Sequence, residues 1–265
     1  MPQQLPVHLH NISARTTGTL THRGNYIAHS AHAVHFPDNR GSVQHGPVVR
    51  IYASGFFFSV CRGIAYFHSM QTADPLQELY KVVAAIHPLS GEEWEHFAGI
   101  WQPVTYKRKE ILTTADETER YLYFVLEGVQ RAFYTGENGQ EATIVFTYPY
   151  SFSGVADSFL TQTPSRFFLE TLTTSKLLRT SWQQLQQFIQ QYPVGERWLR
   201  MATALALKGA LERQTELLTC NAEQKFRKLL TRSPHMLQLV SHKYLASYLG
   251  IDASTFSKLL ATVRL

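Results

Sequence analysis

The chain has 265 residues, of which 44% are hydrophobic and 12% aromatic, a composition typical of one or two domains with a packed core and not of a disordered chain. Its two cysteines exclude a disulfide framework and a four-thiolate metal site within one chain. No apolar run reaches the roughly 18 residues that a membrane-spanning helix needs. We therefore expect a cytoplasmic protein with no membrane partner.

Charge is distributed unevenly along the chain. Residues 70–221 contain 13 basic and 17 acidic side chains, whereas residues 222–265 contain seven basic and only two acidic ones. Neutralisation of phosphates supplies most of the non-specific affinity for nucleic acid. The basic C-terminal region therefore predicts a polyanionic partner.

Residues 1–69 differ from the rest of the chain. They contain eight of the twelve histidines, no lysine and no persistent helical or strand period. The three-residue spacing of His29, His32 and His35 would place their side chains around a metal only if this segment were a helix. No cap or apolar face predicts a helix there. We expect residues 1–69 to be either disordered or absent from the native protein, which would then start at Met70. We expect no metal site in this segment.

Ordinary patterning begins near Asp74. The segments PLQELYKVVAAI and SGEEWEHFAGI predict two helices, the second capped by Ser90. The period then changes to two, and the predicted strands are VTYKRKEIL, YLYFVLEG, VQRAFYT, EATIVFTY, RFFLETL and SKLLRTS. TGENGQ, residues 135–140, predicts a hairpin turn. Strands at this spacing indicate a sandwich or barrel.

An enzyme is the alternative class that such a barrel raises. A cupin-like metal enzyme would need His and carboxylate ligands on its strands, yet no histidine occurs between Trp101 and Ser181. No local Ser-His or Cys-His signature is present either. We therefore assign no catalytic residue, no metal ligand and no cofactor.

Helices are predicted again after the strands. Ser181 caps WQQLQQFIQQY, and a longer helix follows from about residue 194 to 218. Side chains at near-heptad spacing form a stripe along this helix: Trp198, Met201, Leu205 and Leu211 or Glu212. Such a stripe indicates either a partner helix or packing on the β domain of the same chain, and the pattern leaves both open. A basic amphipathic helix, AEQKFRKLLTRSP, comes next.

The segment YLASYLGIDASTFSKLL, residues 244–260, predicts two short helices. Apolar residues recur at helical spacing on both sides of Gly250, which suits the left-handed position after a helix end. Ser241 and Asp252 are the expected N-caps, whose side chains would accept backbone N–H bonds. A tight bihelical corner results, and an ordinary helical hairpin that closes a core is the alternative.

These residues resemble a known family. The order Leu245, Ala246, Leu249, Gly250, Ile251, Phe256 and Leu259 is similar to the helix-turn-helix of bacterial transcription regulators. Together with the strand Tyr121–Gly128, residues 76–265 resemble the Crp/Fnr family. The resemblance implies an α+β fold: an antiparallel β-roll (jelly roll) sensor domain, a long connecting helix and a winged-helix-like helix-turn-helix domain, although the chain ends directly after the second helix, where a β-wing is expected.

The resemblance also implies a domain order and partners. We expect a cyclic-nucleotide-binding-like β-roll over residues 70–192, a dimerisation helix over 193–220 and a DNA-binding domain over 221–265. The implied partners are double-stranded DNA and a second copy of the chain, with RNA polymerase and a small-molecule effector as further candidates. The protein would then be a bacterial regulator and not an enzyme.

The effector cassette departs from the family pattern. Gly154 matches, but Val155 stands where the family has the acid that holds the ribose, and Ser165 stands where it has the phosphate-binding arginine. Arg166 comes one place late, and Asp157 is the other substitute. The effector candidates are therefore Gly154, Asp157, Ser165 and Arg166, and a cyclic nucleotide is disfavoured because its buried charge would be unpaired.

The predicted DNA contacts follow from the same resemblance. Ser254, Thr255, Ser257 and Lys258 would face base edges or phosphates from the second helix, and His242 and Lys243 would contact phosphate from the first. The alternative function is a cyclic-nucleotide or small-ligand binding module that acts through protein partners.

Overall fold

The structure is a computed structural model that describes residues 50–52, 59–61 and 74–263. The strands of this part are β1 (Arg50–Tyr52), β2 (Ser59–Cys61), β3 (Gln102–Tyr106), β4 (Ile111–Thr113), β5 (Tyr121–Glu127), β6 (Gln130–Thr135), β7 (Glu141–Thr147), β8 (Phe152–Ser153), β9 (Phe168–Thr171) and β10 (Ser175–Ser181). The predicted N-terminal extension lies outside the described residues, apart from β1 and β2, which pair antiparallel.

Helices precede the strands of the β-roll, interrupt them once and follow them as far as Thr262. They are α1 (Pro75–Ile86), α2 (Gly91–Gly99), α3 (Ala156–Thr161), α4 (Trp182–Gln191), α5 (Pro193–Thr219), α6 (Ala222–Arg232), α7 (Met236–Leu239), α8 (His242–Leu249) and α9 (Ala253–Thr262). No helix among the described residues has the length and apolar character that crossing a membrane requires.

Two four-stranded antiparallel sheets form the β-roll. Their strand orders are β3-β10-β5-β8 and β4-β9-β6-β7. Successive side chains of a strand face opposite sides of its sheet, and in β5 Tyr123 and Val125 face one core whereas Leu122 and Phe124 face another. The predicted antiparallel β-roll is confirmed.

The predicted strand VTYKRKEIL is instead two strands in different sheets. β3 pairs with β10, and β4 pairs with β9. Lys109, between them, has a φ of 65°, which turns the chain and which bulky residues adopt only at a cost. The prediction of one strand was wrong because the charged run at residues 107–110, KRKE, forms a turn between two short strands and does not continue either of them.

Four helices cover the outer face of the first sheet. Ser90 and Ser181 both form capping boxes with the residue three places on, Glu93 and Gln184, which confirms both predicted starts. α1, α2, α4 and the beginning of α5 pack with β5 and β10 in an aromatic core. Trp198 of α5 is 1% exposed there, so this member of the predicted stripe packs on its own domain.

The C-terminal helices share a core with the β-roll. Phe226 and Leu245 lie in the same buried cluster as Val129, Phe146 and Tyr148 of the β-roll. A helical C-terminal region that contacts the second sheet thus follows the long helix. The β-roll, the long helix and the helical C-terminal region of the predicted fold class are confirmed.

Candidate nucleic-acid interface

The turn between α8 and α9 has the predicted geometry. α8 ends at Gly250, whose φ of 61° and ψ of 43° are left-handed, and the Gly250 N–H donates to the Ser247 carbonyl at 3.0 Å. The next amide, of Ile251, donates to the Ala246 carbonyl at 3.1 Å. These bonds satisfy carbonyls that the helix end would leave free. The predicted stop at Gly250 is confirmed.

The two predicted side-chain caps do not form. Ser241 and Asp252 occupy the N-cap positions with extended backbone, but neither side chain accepts a bond from its helix. Both residues are exposed, so water can satisfy the first amides in place of the side chain. The predicted positions are right and the predicted hydrogen bonds are wrong.

One face of α9 is anchored in the C-terminal core. Phe256 is fully buried and packs edge-on against Phe226 of α6, with ring centroids 5.3 Å apart. Ala246, 2% exposed, gives α8 the small contact surface that close crossing needs. Burying Phe256 fixes which side chains of α9 point outward.

The outward face of this corner contains the predicted DNA contacts. His242, Lys243, Ser254, Ser257 and Lys258 are exposed, and Thr255 is half-buried. The Ser257 hydroxyl donates to the Ala253 carbonyl at 2.9 Å, so its oxygen stays open as an acceptor. The ring of His242 lies 5.3 Å from that of Phe256. DNA contact by these six residues remains a prediction.

Neither lysine of this face has an acidic partner in the described part of the chain. The ion pairs found between residues 74 and 263 include neither Lys243 nor Lys258. An ammonium group without an internal partner is available to an external anion. The face therefore presents two uncommitted positive charges.

The four predicted effector residues differ in exposure and in their contacts. Asp157 and Arg166 are exposed, and the Arg166 guanidinium lies 5.8 Å from the ring of Tyr134. Ser165 is buried, and its hydroxyl donates to the Phe167 carbonyl at 2.7 Å and accepts from the Phe167 amide at 2.9 Å. Gly154 is buried with a φ of 133°. Their role in binding an effector remains a prediction.

Sequence reasoning missed Glu119, which is 1% exposed beside Gly154. Burial raises the pKa of this carboxyl above its usual range, against hydrogen bonds from Thr113, Val155 and Tyr121 that lower it. The alternation of side chains along β5 could have predicted this inward position. Glu119 lies two and four residues before Tyr121 and Tyr123, whose side chains face the inside of the roll.

A polar contact holds α8 on the second sheet. The ring of Tyr244 lies 3.7 Å from the guanidinium carbon of Arg131, and its hydroxyl accepts from Lys109 Nζ at 2.7 Å. Ser247 Oγ accepts from the Thr143 amide at 2.9 Å. Arg131, 2% exposed, pairs with Glu170 and, at 2.5 Å, with Glu141. The β-roll thus sets the position of α8.

Glu216 joins the end of α5 to the C-terminal helices. Its carboxylate accepts from Arg213 at 3.4 Å and Arg232 at 2.6 Å and lies 3.5 Å from Lys228 Nζ. Arg213 also donates to the Tyr248 carbonyl and stacks on the ring of Tyr248 at 4.0 Å. A movement of α5 would therefore be transmitted to α6 and α8.

The β-roll is the part of the chain that a family model matches. Residues 103–192 match the model of the cyclic nucleotide-binding domain. A search of curated proteins found no match.

Several solved structures share the fold across the roll and the helices after it. FixK2 from Bradyrhizobium japonicum is 19% identical, with a TM-score of 0.56 over 61% of this chain and 83% of that one. The regulator CLP from Xanthomonas campestris, described as c-di-GMP responsive, is 17% identical, with a TM-score of 0.50 over 65% and 90%. A protein assigned to the Crp/Fnr family of transcriptional regulators from Eubacterium rectale is 12% identical, with a TM-score of 0.52 over 65% and 82%. The overall architecture is thus that of Crp/Fnr-type structures.

Proposed function

We propose that the protein is a dimeric, DNA-binding transcription regulator of the Crp/Fnr type, working in the cytoplasm without catalysing a reaction. The observation that carries the proposal is the exposed face of α9, which includes Ser254 and the unpaired Lys258 and lies in a region of seven basic and two acidic residues. A helix anchored on one side and cationic on the other suits the major groove of B-DNA. The proposed DNA-binding domain is residues 221–265.

The side chains of this face divide into two roles. Lys258 can donate to the O6 and N7 acceptors of guanine, while Ser254, Thr255 and Ser257 offer hydroxyls that pair with either kind of base edge. His242 and Lys243, at the start of α8, would contact phosphates and set the register of the protein on the duplex. Because Lys258 is the one charged group among the four α9 candidates, we expect modest base discrimination. The seven basic residues of 222–265 predict a strong dependence of binding on salt.

The second half of α5 offers a dimer surface. Leu207, Leu211 and Leu218 are exposed by 59%, 53% and 78% and follow one another at spacings of four and seven residues. An exposed apolar stripe on a helix is typical of a coiled-coil partner surface. Two copies joined along residues 193–220 would place two α9 helices on a palindromic operator.

A second candidate function is supported by the family match of residues 103–192. The β-roll would then bind a small ligand, act through protein partners and leave DNA untouched. Titration calorimetry of the full chain with cyclic nucleotides separates the two candidates when combined with a DNA-binding assay. RNA polymerase is a further candidate partner of the first function, at promoters where the bound dimer lies next to it.

Fluorescence anisotropy tests the DNA-binding proposal. Genomic fragments that co-purify with the protein supply the probe, and Kd is measured at several salt concentrations. We expect Lys258→Ala to weaken binding to the selected site by about 5- to 150-fold, equivalent to about 1–3 kcal/mol. Lys176→Ala, which removes a lysine paired with Glu127 on the β-roll surface, is the matched control and should bind like the wild type. Equal Kd values for the wild type and Lys258→Ala would contradict the assignment of α9.

A further inference from the structure

The carboxylate of Glu119 is fully engaged inside the β-roll. Its Oε2 atom accepts from Thr113 Oγ1 at 2.5 Å and from the Val155 amide at 3.1 Å, and its Oε1 atom accepts from the Tyr121 amide at 3.2 Å. The Glu119 amide in turn donates to Ser158 Oγ at 2.9 Å. Both oxygens and the backbone of this residue are therefore tied to the strands and to the loop that leads into α3.

No cation accompanies this carboxylate among residues 74–263. None of the ion pairs of that range includes Glu119. An isolated carboxylate is costly to bury unless its oxygens receive hydrogen bonds. Here one hydroxyl and two backbone amides provide those bonds, as they would for a bound anion.

The loop after β8 closes directly over the carboxylate. A Cβ built on Gly154 would lie 3.8 Å from Glu119 Oε2 and 3.2 Å from the Tyr121 carbonyl. Ser158, 1% exposed, bridges the Glu119 amide and the Thr163 carbonyl, to which its hydroxyl donates at 2.6 Å. Residues 154–158 are thus folded around Glu119.

We infer that Glu119 is the internal ligand of this loop, and that the β-roll is closed at Gly154–Ser158 to anionic effectors such as cyclic nucleotides or inorganic phosphate. The polar groups that an incoming anion would use already bind the chain's own carboxylate. Asp157 and Arg166 lie exposed outside it. The inference concerns the β-roll alone and does not depend on DNA binding.

Chemical rescue tests the internal ligand. Removal of the side chain in Glu119→Ala leaves three donors without their acceptor and space for a small carboxylate, so we expect a lower Tm that formate raises again, on the order of 2–4 °C. Sodium chloride at equal ionic strength is the salt control. Glu117→Ala, an exposed acid two residues away, is the matched control and should show neither the loss of Tm nor a response to formate.

The wild type provides the second arm of the experiment. Cyclic AMP, cyclic GMP and phosphate should leave the Tm of the wild type unchanged. This measurement does not depend on the folding of any variant. Glu119→Asp, which keeps a carboxylate but shortens it, covers the case in which Glu119→Ala does not fold, and its Tm should lie below that of the wild type because the shorter side chain cannot reach all three donors. Stabilisation of the wild type by cyclic AMP, cyclic GMP or phosphate would overturn the inference, as would a folded Glu119→Ala that responds equally to formate and chloride.

Discussion

Arg131 is a buried charge at the contact between the β-roll and the C-terminal helices. Arg131 is 2% exposed, with Glu170 and Glu141 as its acidic partners and the ring of Tyr244 on its face. Removing one partner of a buried ion pair leaves an uncompensated charge, which costs more than the intact pair contributes. The contact between the β-roll and the C-terminal helices therefore depends on Arg131 keeping all of these partners.

His235 makes this contact sensitive to pH. Its ring packs edge-on against Tyr148 at 5.1 Å, and burial lowers the pKa of the imidazole below its usual range. Between that lowered pKa and about 6.5, the unfolded chain binds more protons than the folded chain, so the free energy of unfolding falls as pH falls through this window. We expect a loss below about 1 kcal/mol, because the ring is partly exposed and screened.

Urea unfolding at about pH 7.5 and about pH 5.5 measures the effect. His235→Gln should lose less stability on acidification than the wild type. His96→Gln, at an exposed position on α2, should keep the wild-type pH dependence. An identical response of His235→Gln and the wild type would remove His235 as the cause.

Residues of this kind are the least predictable from sequence. Glu119 and Arg131 are charged types that are almost never fully buried without partners, and each has a partner that is distant in sequence, Val155 for Glu119 and Glu170 for Arg131. Composition and spacing predicted the exposed Lys258 and the buried Phe256 correctly because helical period alone separates their faces. Burial of a charge depends on hydrogen-bond donors that only the folded chain brings together.

At the scale of elements, α5 shows what a periodic pattern leaves open. The sequence indicated a stripe of Trp198, Met201, Leu205 and Leu211 or Glu212 without fixing its partner. In the structure Trp198 is buried and Leu205 partly buried against the aromatic core, whereas Leu211 lies on a separate exposed stripe with Leu207. A helix with apolar residues on two faces cannot be assigned a partner from spacing alone.

The exposed stripe predicts how the chain assembles. Leu207→Glu combined with Leu211→Glu would place charges in the proposed helix pair, and each lost leucine burial is worth about 1.5–3 kcal/mol. We expect the dimer dissociation constant to rise more than about tenfold, measured by light scattering during size-exclusion chromatography. Leu239→Glu, at a leucine 39% exposed on α7, is the control and should remain dimeric. A dimer that survives the double substitution would exclude this surface.

The turn at Gly250 carries a separate prediction. An alanine Cβ there would meet only Leu217 Cδ2, at an ordinary 3.7 Å, so the cost of Gly250→Ala comes from the left-handed φ of 61°. We expect the free energy of unfolding to fall by about 1–2 kcal/mol. Gly91→Ala, at a helical position with nothing within 4 Å of the added Cβ, should leave stability unchanged or slightly higher. Equal stability of the two variants in urea would contradict the role of Gly250.

On the scale of the whole molecule, the order of elements followed from the sequence and their mutual placement did not. Strand period, capping boxes and the Gly250 stop predicted a sandwich or barrel, a long helix and a helical end, and the family resemblance implied the β-roll. The ion-pair cluster at Glu216 was not predictable. Its partners Arg213, Lys228 and Arg232 come from two helices, and tertiary packing sets the angle between those helices. Local propensities do not encode such an angle.

The fixed contacts define how the proposed regulator would present its DNA-binding face. Tyr244 ties α8 to the roll, and Glu216 ties α6 to α5, the helix that we expect to join two copies. The orientation of each α9 is therefore coupled both to the roll and to the dimer surface. Two such helices should bind half-sites whose separation matches one turn of the double helix or a multiple of it.

Hydroxyl-radical footprinting of the wild type on a selected DNA fragment tests this account most directly. We predict two protected half-sites with dyad symmetry, centred about 10–10.5 base pairs apart or at a multiple of that distance, and loss of the paired pattern in the Leu207→Glu, Leu211→Glu variant. Absence of protection at low salt, or protection of one isolated half-site by the wild type, would contradict a dimer that reads DNA through α9.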